Sequence, residues 1–168
     1  MEALKNPQEA FRWIVSVLEK HKIGYVISGG LAAKNYGSPR LLKDIDIEVH
    51  SRDFEKILPD IKPYIVFGPA QFQDEKWDLP LITLDHHGQQ IDISGGDQTR
   101  IYNSVSRHWE HVRTDFTDVE NREIFGLTVP ALSAHQLIAY KSILNRDYQQ
   151  IDAIDIQAAR EHLKKGSQ

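Results

Sequence analysis

Apolar and polar positions alternate along this chain at two periods, and the change from one to the other divides it into helices and strands. Residues 7–22 carry Phe11, Ile14, Val15 and Leu18 at helical spacing, with Asn6 as N-cap, Pro7 at the first helical position and Gly24 as the stop. Tyr25-Val26-Ile27 is a short buried strand, and Leu31 to Tyr36 has the composition of a short helix. Gly37-Ser38-Pro39 ends that helix, and Lys43 to Val49 then alternates strictly at the period of a strand. Ser51 is placed as the N-cap of a helix to Leu58 that Pro59 and Pro63 bracket, and Tyr64 to Phe67 reads as a strand turned by Gly68-Pro69. Residues 70–80 carry no clear period. Leu81–Leu84 and Gln90–Ser94 are two strands joined around His86-His87-Gly88. Residues 95–107 include a short helix, and 112–129 a hairpin turning near Glu120-Asn121, closed by Pro130. Ser133 to Gln136 is a capping-box pattern opening a helix through Leu144, and a second helix runs from Gln149 to Lys164.

With 168 residues, 40% apolar and 26% charged, the chain is expected to fold as one globular domain. No apolar run reaches the roughly 20 residues of a membrane span, and the N-terminus has no signal-peptide core, so a cytoplasmic protein is expected. The absence of cysteine excludes disulfide frameworks and thiolate metal sites. A net charge of −4 argues against nonspecific nucleic-acid binding, which needs a basic footprint. His86-His87 and His108-x-x-His111 lack partners that would complete a four-ligand zinc site, and zinc is set aside.

The alternation over 43–49 has a chemical consequence. Asp44 and Asp46 share one strand face and Ile45, Ile47 and Val49 the other. Two carboxylates facing the same way repel each other, and a bound cation removes that penalty. D-x-D is equally the solvated face of an ordinary strand. The preceding strand, Ser28-Gly29-Gly30 and short helix change the balance: glycines let backbone N–H groups approach phosphate oxygens, and a helix start favours anions. Arg40 is a further candidate phosphate or acceptor contact.

The pattern G-G-x-A-x4-G-x2-R-x3-D-x-D, carried by Gly29, Gly30, Ala32, Gly37, Arg40, Asp44 and Asp46, resembles the signature of the DNA polymerase β-like nucleotidyltransferase superfamily. Within it the chain is similar to the small single-domain branch of lincosamide and aminoglycoside nucleotidyltransferases, where Gly-Gly replaces the commoner Gly-Ser. The resemblance implies an α/β (α+β) fold: a small mixed or antiparallel sheet with flanking helices, a core over 1–130 and a C-terminal helical hairpin over 131–168. It implies transfer of a nucleoside monophosphate from an NTP to an acceptor hydroxyl with release of pyrophosphate, and two Mg²⁺ ions held by Asp44, Asp46 and a third carboxylate on a neighbouring strand. Asp92, between two isoleucines and so pointing away from them, is assigned as that ligand and as general base; Glu48 and Asp85 are its competitors. Ser28, Gly29, Gly30, Arg40 and Lys141 are assigned to the nucleotide. Asp152 and Asp155 are expected to brace Arg146, and Lys141 is equally readable as a solvated lysine. The acceptor is expected to be a small molecule, with protein or RNA as further possibilities. A binding-only or toxin–antitoxin protein of the same fold is the alternative.

Overall fold

A computed structural model describes residues 6–145 and 150–166. Among the described residues nine strands form one mixed sheet, with five α-helices packed against it. In chain order these are α1 (Pro7–Lys20), β1 (Tyr25–Ser28), α2 (Gly29–Asn35), β2 (Asp44–Val49), α3 (Phe54–Ile61), β3 (Ile65–Gln73) and β4 (Trp77–His86). There follow β5 (Gln89–Gly95), β6 (Arg100–Asn103), β7 (His108–His111), β8 (Val119–Ile124), β9 (Leu127–Leu132), α4 (Ala134–Leu144) and α5 (Ile151–Gly166). The strand order is β7-β6-β4-β5-β2-β1-β9-β8, and β3, outside this order, pairs with β4. β2–β5 and β1–β9 are the parallel pairs, and the remaining neighbours are antiparallel.

The alternation in β2 appears as a strict in-and-out pattern of burial. Ile45, Ile47 and Val49 join Ile82 and Leu84 of β4 and Ile91 and Ile93 of β5 under α1 and α3, in a core to which Phe11, Ile14, Leu18, Ile57 and Ile61 contribute. Each fully buried side chain of this size stabilises the fold by about 1.5–3 kcal/mol in transfer terms, so the register of β2 is held by its apolar face. A one-residue slip would turn all three apolar residues outward. A second, smaller cluster of Ala32, Ala33, Tyr36, Ala134, Leu137 and Ala159 joins α2 to α4 and α5. Among the described residues no helix is long and apolar enough to cross a membrane.

Several local expectations are corrected. α1 is closed by Lys22 at φ 55 and not by Gly24: Lys22 N–H donates to the Glu19 carbonyl and Ile23 N–H to that of Leu18, a Schellman arrangement. Ser51 does not cap a helix; its N–H and Oγ both donate to Asp97, and Pro59 lies inside α3. β3 does not stop at Gly68-Pro69 but continues to Gln73, because register shifts on either side of Phe67 accommodate the irregularity. Glu120 and Asn121 are paired within β8. The hairpin turns instead at Phe125-Gly126, both at positive φ, as a two-residue connection requires, and Pro130 lies within β9. Ser133 caps α4 as expected, accepting from Gln136 N–H, but the Gln136 amide reaches the carbonyls of Asp115 and Asp118 and does not return to the cap. Gln149, the expected start of the last helix, lies outside the described residues.

Candidate active site

Strand pairing places one row of polar side chains across the sheet. Ser28 of β1 is opposite Asp46 of β2, Asp46 is opposite Asp92 of β5, and Asp92 is opposite Thr83 of β4. Directly paired residues point to the same face, so this row stands opposite to the isoleucine core. Asp44 joins it one step along β2, and Asp44, Asp46 and Asp92 each offer a carboxylate oxygen within 4.8 Å of the others. Two donors orient Asp92: Thr83 Oγ1 donates to Oδ1 at 2.8 Å and Gln90 Nε2 to Oδ2 at 3.0 Å.

Of the alternative third carboxylates, Glu48 lies one pair further down β2, where Thr114 Oγ1 donates to it at 2.9 Å. Asp85 is engaged at the β4–β5 turn, accepting from Gly88 N–H at 2.7 Å. The geometry therefore gathers Asp92 with the D-x-D pair and leaves both competitors outside.

The electrostatics are those of crowded carboxyls, which the charges of Arg40 and Lys141 offset only in part. Burial, and then the adjacent Asp92, push the Asp44 carboxyl above its ordinary range. Burial, with Asp44 and Asp92 beside it, drives Asp46 well above its own. Burial alone pushes Glu48 up to about 7 against the hydrogen bond from Thr114. A positive charge placed beside these carboxyls would lower all three.

Gly29 contributes in a way that a phosphate contact does not require. It lies at φ +59, and a Cβ there would overlap the Asp46 carboxylate. Glycine at 29 thus clears the space in which Asp46 stands. Gly30 faces Arg40, whose Nη2 is 3.1 Å from where its Cβ would be.

Arg40 is held from behind. Asp155, with no exposed surface, accepts from Arg40 Nε at 2.9 Å and Nη2 at 2.5 Å and from Ser38 Oγ at 2.7 Å. Lys141 Nζ lies 2.9 Å from Asp155 and 3.4 Å from Asp152. Although burial raises Asp155, the Arg40 hydrogen bond and the Lys141 charge hold it below the usual carboxylate range. Lys141 is therefore a buried, paired cation and not a solvated lysine, and the two aspartates brace Lys141 and Arg40. Arg146, their expected partner, lies outside the described residues.

Ser28, Gly29, Gly30, Arg40, the three aspartates, Glu48 and Lys141 line a cavity of about 700 Å³, to which Lys43 and Ser94 add polar groups; its apolar walls are Leu41 and Leu42, Phe72 of β3, Trp77, Leu79 and Leu81 of β4, Tyr140 of α4 and Ile151 and Ile154 of α5. Of these, Phe72, Trp77 and Leu79 fall in the 70–80 stretch without a clear period. Trp77, Leu79, Leu81 and Thr83 do alternate, but Asp78 and Pro80 between them obscure the pattern.

No family model matches this sequence, and no curated protein matches it. Solved structures do. A candidate nucleotidyltransferase, TM1012, from Thermotoga maritima superposes with a TM-score of 0.63 at 19% identity, covering 96% of each chain. The lincosamide antibiotic adenylyltransferase LnuA, with lincomycin bound, gives 0.57 at 15% identity over 94% of this chain and 98% of that one. ANT(2″)-Ia, in complex with adenylyl-2″-tobramycin, gives 0.61 at 11% identity over 95% and 91%. The likeness is one of fold, and it extends over nearly the whole of each chain: the protein is a small nucleotidyltransferase-fold protein, with the mixed α/β architecture expected from the sequence.

The crowded carboxylates make a signed prediction. A carboxyl whose pKa is raised by folding contributes stability that is complete at low pH and lost as pH rises through the folded value. In chelator at neutral pH, Asp46→Asn is therefore expected to be more stable than the parent. The difference should shrink as pH falls through the raised carboxyl range. Thermal melts against pH measure this, and a variant less stable at neutral pH would contradict the assignment.

Asp155→Asn should act the other way. It leaves Lys141 and Arg40 short of their shared carboxylate, and removing one partner of a buried ion pair costs about 3–5 kcal/mol. Denaturant unfolding would show this as a lower midpoint; a midpoint within error of the parent would mean that Asp152 alone satisfies the lysine.

Proposed function

We propose that this protein transfers a nucleoside monophosphate from an NTP to a hydroxyl of a small-molecule acceptor, releasing pyrophosphate. The observation that carries the reading is the gathering of Asp44, Asp46 and Asp92 within 4.8 Å of one another on the floor of a 700 Å³ cavity. An all-oxygen, mutually repelling donor set fits Mg²⁺, and Asp44, Asp46 and Asp92 would hold two such ions. Mg²⁺ held there would supply positive charge to neutralise the triphosphate and the leaving pyrophosphate.

The chain's own groups account for the rest of the reaction. Backbone N–H groups at Gly29-Gly30, with Ser28 beside them, bind phosphate oxygens, and Arg40, fixed by Asp155, adds a cation at the same edge. Lys141 acts through that fixation and not by direct contact. The acceptor oxygen attacks the α-phosphorus as the bond to the pyrophosphate oxygen breaks, and Asp92, oriented by Thr83 and Gln90, takes the hydroxyl proton. The wall of Phe72, Trp77, Leu79, Leu81 and Tyr140 suits an acceptor with an apolar face. Glu48 at its base favours one that also carries positive charge. The setting for this chemistry is the cytoplasm, where NTPs and Mg²⁺ are abundant.

The test is a screen of the four NTPs with Mg²⁺ for pyrophosphate release over hydroxylated small molecules, followed by the mass shift of the acceptor. With an acceptor in hand, Asp92→Asn should lower turnover by about 10²–10⁴-fold, the range for a lost general base. NTP affinity should stay largely intact, while Glu48→Gln and Asp85→Asn should lose much less. Saturating substrate keeps affinity and chemistry apart. Full turnover in Asp92→Asn would remove Asp92 from the reaction.

A further inference from the structure

The two adjacent histidines that spacing alone left without ligand partners acquire one in the fold. His86 ends β4 and continues the inward row of Ile82 and Leu84, so it lies on the α1 side of the sheet, opposite to the three aspartates. There it is buried and stacked on Trp13, with ring centroids 4.5 Å apart and 17° between planes; Tyr64 packs on it at 5.0 Å. His87 turns back over it at φ 51, its ring 4.3 Å from that of His86. Glu9, from the first turn of α1, brings Oε1 to 3.4 Å from His87 Nδ1. One ligand atom from each of Glu9, His86 and His87 lies within 4.8 Å of the other two.

We propose that Glu9, His86 and His87 form a second metal site, for a borderline divalent cation of the Zn²⁺ or Co²⁺ kind, that clasps the first turn of α1 to the β4–β5 turn. Two imidazoles and a carboxylate are the ligand set such ions take with a water in fourth position, whereas Mg²⁺ prefers oxygen alone. The aromatic clamp of Trp13 and Tyr64 fixes one ligand. His87 and Glu9, both exposed on their side chains, can close on the ion by side-chain rotation. The site stands apart from the aspartate cluster and does not depend on the reaction proposed for it.

The test is calorimetric titration of Zn²⁺ into the chelator-treated full chain in excess Mg²⁺, repeated on three variants. His87→Asn keeps a residue that tolerates positive φ, Glu9→Gln keeps the shape of the side chain, and Asp44→Asn alters the other site. Changes in surrounding residues alone weaken metal sites by about 10–100-fold, so loss of a direct ligand should weaken Zn²⁺ by at least about tenfold. The proposal expects one bound equivalent, weakened to that extent in His87→Asn and in Glu9→Gln and unchanged in Asp44→Asn. It is overturned by absence of Zn²⁺ binding, by binding indifferent to the first two variants, or by binding lost in Asp44→Asn.

Discussion

Three carboxylates crowded on two neighbouring parallel strands are the constraint around which this molecule is arranged. Asp46 and Asp92 are direct partners across β2 and β5, and Asp44 completes the group. Such an arrangement opposes folding, since each charge is partly desolvated and faces its like. What holds it in place is the reverse side of the same strands, where Ile45, Ile47, Ile91 and Ile93 have no exposed surface. The strand period of two makes the core and the charged floor products of one register. Thr83, Gln90 and the missing Cβ of Gly29 then shape the floor locally.

The helices at the C-terminal end bear on the same site from a distance. Asp155 of α5 ties Ser38 and Arg40, in the segment between α2 and β2, to Lys141 of α4. Buried ion pairs contribute little net stability but penalise any alternative packing that separates them. With the apolar cluster that joins α2 to α4 and α5, the network links these helices to the site, and Tyr140, Ile151 and Ile154 on them close one side of the cavity. Arg40 occupies its position beside Gly30 because a helix more than a hundred residues away holds it there.

Much of this was legible in the sequence, for identifiable reasons. The alternation of 43–49 gave β2 its faces, and an aspartate between isoleucines at 92 could only point towards the other carboxylates once β5 lay beside β2. The first part of β4 and the far end of β3, which wall the cavity, were not legible, because Pro80 breaks the alternation of 77–81 and a register shift carries β3 past Gly68-Pro69. Nor were the partners of Asp155, which are distant in sequence and visible only once the helices pack. The hairpin at 119–132 was misplaced because Asn121 offers a turn signal in mid-strand, while the turn was made by the less conspicuous Phe125-Gly126. The burial of His86 was not legible either; it comes from Trp13, on a helix that sequence spacing could not bring near.

The claim on which the rest stands is that the aspartate cluster receives a nucleotide-bound divalent ion, and paramagnetic broadening tests it without knowledge of the acceptor. Mn²⁺ would be added with a non-hydrolysable NTP analogue to isotopically labelled protein, and the loss of amide signals mapped by residue. The account predicts the strongest broadening at Gly29, Gly30, Asp44, Asp46 and Asp92, and its loss in Asp46→Asn. Broadening centred elsewhere, or unchanged in that variant, would contradict it.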